Sequence, residues 1–87
     1  MAPIRIPPAE ARVHWDRTAR RPAVVRWPGH RLQVTDLDAV RDERSAYPAD
    51  RGPRVTYHLR GADGSRATLV FDGRRRRWFV EVLDRAA

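Results

Sequence analysis

Three stretches in the last third of the chain alternate apolar and polar residues with a period of two, the spacing of strands with one buried face. Val55, Tyr57 and Leu59 alternate with Thr56, His58 and Arg60; Ala67, Leu69 and Phe71 with Arg66, Thr68 and Val70; Trp78, Val80 and Val82 follow at the same period. Ala62-Asp63-Gly64 and Asp72-Gly73 separate them, and Asp-Gly between alternating runs is a strong hairpin signal. The pattern predicts an antiparallel meander. A slip of one residue would turn a whole strand inside out. A three-residue first loop, Ala62-Asp63-Gly64, sets Leu59 opposite Ala67, Tyr57 opposite Leu69 and Val55 opposite Phe71, with Gly64 in the left-handed position that such a loop needs. The second loop keeps the same core face at two or four residues. The predicted apolar face is Val55, Tyr57, Leu59, Leu69, Phe71, Trp78, Val80 and Val82.

Phe79 and Leu83 make the other face of the last strand apolar as well, which favours a sheet curled into a small barrel over a central strand or a subunit interface. Upstream, Val13 and Trp15 flank His14, while Ala23 to Trp27 and Leu32 to Val34 bracket a Pro28-Gly29-His30 turn. Two or three more strands are expected there. From Thr35 to Tyr47 two readings compete. Thr35 could cap a short helix near residues 36–46, or the strand from Arg31 could continue through a bulge near Thr35 that moves the inward position from Val34 to Leu37. The fold class is all-β: a five- to six-stranded antiparallel barrel or strongly twisted sheet.

Eighty-seven residues allow one domain. Residues 1–10 carry Pro3, Pro7 and Pro8 and read as an extended or flexible arm, leaving residues 11–87 as the β domain. Arg41 to Pro53 reads as an exposed loop. No apolar run approaches the length of a membrane span or a signal peptide, so a cytoplasmic protein with no membrane partner is expected. With no cysteine there is no disulfide and no thiolate metal site; the protein is expected as a monomer or homodimer.

The order Arg26-Trp27-x-Gly29-x-Arg31-x-x-Val34, then Leu37-Asp38, a charged loop, a strand with Tyr57, a Gly-Ser turn, Phe71-Asp72, Arg77-Trp78-Phe79-Val80-Glu81 and Leu83-Asp84 resembles a family of small uncharacterised proteins of high-GC bacteria. The resemblance covers about residues 13–84, departing where His30, Leu32, Ala39 and Val40 stand in place of aromatics. Members of this domain-of-unknown-function family are often encoded near error-prone DNA polymerases, which implies a link to DNA repair and assigns no activity. It also favours a continuing strand after Thr35.

All eighteen positive charges are arginines, with no lysine or asparagine, and the net charge is +7. Arginine grips phosphate through two parallel hydrogen bonds, so a phosphate surface is one explanation. A GC-rich genome, which depletes lysine and asparagine codons, is another. The four consecutive arginines Arg74, Arg75, Arg76 and Arg77, with Arg60, Arg66, Arg17, Arg20 and Arg21 on other loops, converge if the sheet curls, and exposed Trp27 or Phe79 would then stack bases. A non-catalytic nucleic-acid-binding module follows, with DNA preferred over RNA. The alternative is a protein-interaction accessory factor of a repair polymerase complex, docking through the arm or through an exposed patch at Phe79 and Leu83. Enzymatic chemistry is not expected. His14, His30 and His58 match no ligand spacing, Asp36, Asp38, Asp42 and Glu43 read as a solvated cluster, and Ser45 and Ser65 lack a base nearby in sequence, so no metal or cofactor is foreseen.

Overall fold

The computed structural model describes residues 4–42 and 54–84, and all of them belong to strands or the turns between them. Six strands follow in order: β1 (Ile4–Asp16), β2 (Arg21–Trp27), β3 (His30–Asp42), β4 (Arg54–Gly61), β5 (Arg66–Asp72) and β6 (Arg77–Asp84). Each pairs antiparallel with the next and β1 pairs with β6, closing the barrel. The expected helix near 36–46 is not formed over residues 36–42, which continue β3; residues 43–46 lie outside the described residues, as does most of the Arg41–Pro53 loop. Among the described residues no helix is long and apolar enough to cross a membrane.

β1 and β3 are each shared between two sheets. Ile4–Ala11 pairs with β6 and Arg12–Asp16 with β2. His30–Gln33 pairs with β2 and Val34–Asp42 with β4. The result is a large sheet, from the second half of β3 through β4, β5 and β6 to the first half of β1, packed against a small sheet of β1, β2 and β3. Bulges turn these corners. At Thr35 the register steps from Val34 opposite Gly61 to Asp36 opposite Arg60, which passes the inward position from Val34 to Leu37. Of the residues expected as an N-terminal arm, residues 1–3 lie outside the described residues, and those from Ile4 on belong to the closing strand. Its register breaks between Arg5 and Ala9, where Pro7 and Pro8 have no N–H to donate.

The predicted meander register is present. Leu59 faces Ala67, Tyr57 faces Leu69 and Val55 faces Phe71. Gly61 N donates to Ser65 O (2.8 Å) and Gly64 N to Gly61 O (3.1 Å), with Gly64 at φ +83°, so the loop has three residues and its left-handed position falls on glycine. One core position needs correction. Glu81 is an extra residue in β6, so Val80 faces Leu69 but Leu83 faces Ala67; Val82, expected inside, lies on the outer face opposite Thr68. The core gathers Ala11, Val25, Trp27, Leu32, Val34, Leu59, Ala67, Leu69 and Val80. Gly61 lies so close to Leu32 that a Cβ there would collide with Leu32 Cδ1. Gly61→Ala is therefore expected to cost about 1–3 kcal/mol by overpacking, measured as a fall in urea midpoint at unchanged slope.

Candidate nucleic-acid interface

Antiparallel closure sorts the loops between two rims. The β1–β2 and β5–β6 loops share the upper rim; the β2–β3 and β4–β5 loops share the lower. This divides the predicted site. Arg20, Arg21, Arg74, Arg75, Arg76 and Arg77 come together on the upper rim. Arg60, Arg66 and Trp27 stand at the lower rim, the length of β5 away, about 20 Å at 3.3 Å per residue. Arg60 is engaged by Asp38 (3.1 Å) and Arg66 lies opposite Asp84 in register. Trp27, expected as an exposed stacking platform, is 7% exposed because it points into the core, and His30, the first residue of β3 rather than a turn residue, stacks on it at 5.2 Å.

The two arginine loops have the same construction. Asp16↔Arg21 encloses Arg17-Thr18-Ala19-Arg20, and Asp72↔Arg77 encloses Gly73-Arg74-Arg75-Arg76. In each, the leading aspartate caps the turn. Asp16 Oδ1 accepts from Thr18 N (2.9 Å) and Ala19 N (3.0 Å), and Asp72 Oδ1 from Arg74 N (3.0 Å) and Arg75 N (3.2 Å). Each loop ends on a left-handed arginine, Arg20 at φ 56° and Arg76 at φ 54°. The shared pattern, aspartate followed at the fourth and fifth positions by two arginines, was present in the sequence as Asp16…Arg20-Arg21 and Asp72…Arg76-Arg77.

Between the loops lies an aromatic cluster in which Trp15 joins Tyr57, Phe71 and Trp78 of the predicted apolar face. Trp15, Tyr57, Phe71 and Trp78 face inward near the upper rim, with centroids 6.0 Å apart for Trp15–Tyr57, 6.3 Å for Trp15–Trp78, 5.5 Å for Tyr57–Trp78 and 4.9 Å for Phe71–Trp78. The β2–β3 ladder covers only Val24–Trp27, so the barrel is unzipped at this end. Trp15 (39% exposed) and Val40 (49%) are the exposed large apolar side chains among the described residues; Phe79 and Leu83 are half-buried, and Leu83 packs on the core. A weak alternation, Val13-x-Trp15 beside a loop, was the available signal for Trp15; its exposure depends on the gap beside β2.

Ion pairing separates the arginines further. Arg77 meets Glu10 (3.0 Å), Arg54 meets Glu81 in a two-oxygen contact (2.6 and 2.7 Å), and Arg75 Nε lies 3.9 Å from Asp72. Arg17, Arg20, Arg21, Arg74 and Arg76 have no carboxylate partner among the described residues. His14 and His58 are exposed on strand faces, His58 3.3 Å from Thr68 Oγ1, and among the described residues no three His, Asp or Glu side chains gather to hold a metal. Ser65 is buried in the β4–β5 loop and its N donates to Asp63 Oδ1 (2.9 Å). Glu43 and Ser45 lie outside the described residues. Comparison with protein-family models, curated proteins and solved structures finds no match to this chain.

Proposed function

We propose that this barrel is a non-catalytic nucleic-acid-binding module whose upper rim grips phosphates with arginines and stacks a base on Trp15. The observation that carries the reading is the pair of left-handed arginines, Arg20 and Arg76. Glycine adopts that conformation without strain, whereas another residue costs about 1–2 kcal/mol. Glycine codons are as GC-rich as arginine codons, so genome composition gives no reason to keep arginine at both positions. Retention of strain at two loops on one rim, beside an exposed tryptophan, is what a ligand site does. The resemblance to proteins encoded near error-prone polymerases directs the proposal to DNA in repair.

The five unpaired arginines of the upper rim, neutralising five phosphates, contribute about −3.5 to the log–log salt slope for single strands or −4.5 for duplex. Titration of single- and double-stranded DNA and RNA at two salt concentrations measures it, and a salt-insensitive or absent interaction removes the proposal. Arg20→Gly/Arg76→Gly gives a sharper test. Strain relief, partly offset by glycine's greater unfolded-state entropy, is expected to raise stability by about 0.5–1 kcal/mol per site while DNA affinity falls. A variant that is more stable and binds equally well would show that the arginines serve no ligand.

A further inference from the structure

The outer face of the small sheet carries a second arginine constellation. Arg12 on β1 lies directly opposite Arg26 on β2, which lies directly opposite Arg31 on β3. All three are exposed, and none has a carboxylate partner among the described residues. Neighbouring strands are about 4.8 Å apart, so the three side chains rise in a row about 10 Å long. The rest of this face, His14 opposite Val24 opposite Gln33, holds no acid. Glu10 and Asp63 border it but are turned to other partners, Glu10 to Arg77 and Asp63 to Ser65 N. The large sheet differs: its Arg54, Arg60 and Arg77 each meet a carboxylate. Like charges directly opposite across strands destabilise a sheet, so a row of three with no carboxylate partner is a structural cost, whereas the opposed pair on the large sheet, Arg60 and Arg66, is relieved at Arg60 by Asp38.

Shape adds a second observation. Arg12 and Arg26 line two adjoining surface grooves, one beside Trp27, Pro28 and the Arg77-paired Glu10, the other beside His14 and Val24. Together the grooves run along the β1–β2 hairpin toward its tip, where Arg17, Arg20 and Arg21 stand.

We propose that this face is a second phosphate-contacting strip, along which a single strand leaving the aromatic mouth continues over Arg12, Arg26 and Arg31. The inference rests on the nucleic-acid reading above and extends it to a path of two segments, rim and strip. Its chemistry is backbone phosphate without base readout, since arginines in a row carry no donor pattern specific to one base.

The test is Arg26→Glu, which puts a carboxylate between two arginines. It is expected to raise the melting temperature, because repulsion becomes attraction. For a single-stranded DNA of about 16 nucleotides it is expected to make the salt slope shallower by about 2, as when three phosphates are no longer neutralised. Affinity at low salt is expected to fall at least tenfold. A melting temperature that rises while slope and affinity stay unchanged overturns the strip. Arg12→Gln/Arg31→Gln keeps the central residue and is expected to lower the slope by about 1.4; no change again overturns it. Wild-type affinity is also expected to rise between strands of about 5 and 16 nucleotides, and a flat length dependence counts against the strip. Failure of the wild type to bind any strand sinks the nucleic-acid reading itself. Retained strip-variant binding, with loss in Arg17→Glu/Arg74→Glu, sinks the strip alone.

Discussion

Leu69→Ala is expected to remove most of the stability of this barrel. Leu69 is 0% exposed at the centre of β5, facing Tyr57 on β4 and Val80 on β6 in register. Truncating a fully buried leucine costs about 2–5 kcal/mol, the upper part of the range applying where the surroundings cannot collapse into the space. A closed sheet is such a surrounding, because its ladders hold the facing strands apart. Domains of this size have about 5–10 kcal/mol in all, so the variant is expected to be partly unfolded at 37 °C. Urea denaturation followed by tryptophan fluorescence measures it. A loss below 1 kcal/mol would mean that the packing centre is not at the crossing of β4, β5 and β6.

The largest effect on binding is expected from Arg17→Glu/Arg74→Glu, one residue from each upper-rim loop. Neither side chain has a carboxylate partner among the described residues and neither occupies a left-handed position, so reversal leaves the loops' caps and backbone intact. Each contact to phosphate is a charge-assisted hydrogen bond of about 1.5–3 kcal/mol, and the two together are expected to cost at least a hundredfold in DNA affinity. The single-strand salt slope becomes shallower by about 1.4. Arg77→Glu is the informative comparison. It breaks the Glu10 pair that joins β6 to β1 and sets two acids side by side, so its effect is expected mainly in stability. If Arg77→Glu weakened binding and Arg17→Glu/Arg74→Glu did not, the rim would not be the site.

The meander was legible because its information is local: period two, Asp-Gly turns, and a glycine where one loop length alone gives consistent faces. The bulges were less so. An extra residue such as Glu81 leaves no compositional mark, since Val82 and Leu83 are equally apolar and only the opposing β5 decides which turns inward. The candidate site was half visible. Arg20, Arg21 and Arg74 to Arg77 could be read as one group because they crowd into loops that share a rim, but Trp27, expected outside, lies inside, and the exposure of Trp15 was not foreseen. Both tryptophans stand in alternating runs next to turns; one is covered at the closed lower rim and the other is left open where β2 and β3 part. The pairings that silence Arg77 and Arg60 join residues distant in sequence, Glu10 and Asp38, and depend on register across the closed barrel.

The closure of β1 onto β6 also governs how the molecule forms. Ile4 lies opposite Leu83, nearly the whole chain apart, whereas β4, β5 and β6 are joined by short turns. The ordering entropy of a long loop must be met before its pairing returns anything, so the meander can assemble early while the first strand docks late. Until it docks, β6 presents an unpaired edge to neighbouring molecules. The hazard for this protein is thus kinetic, and it lies in the interval before its first strand finds its last.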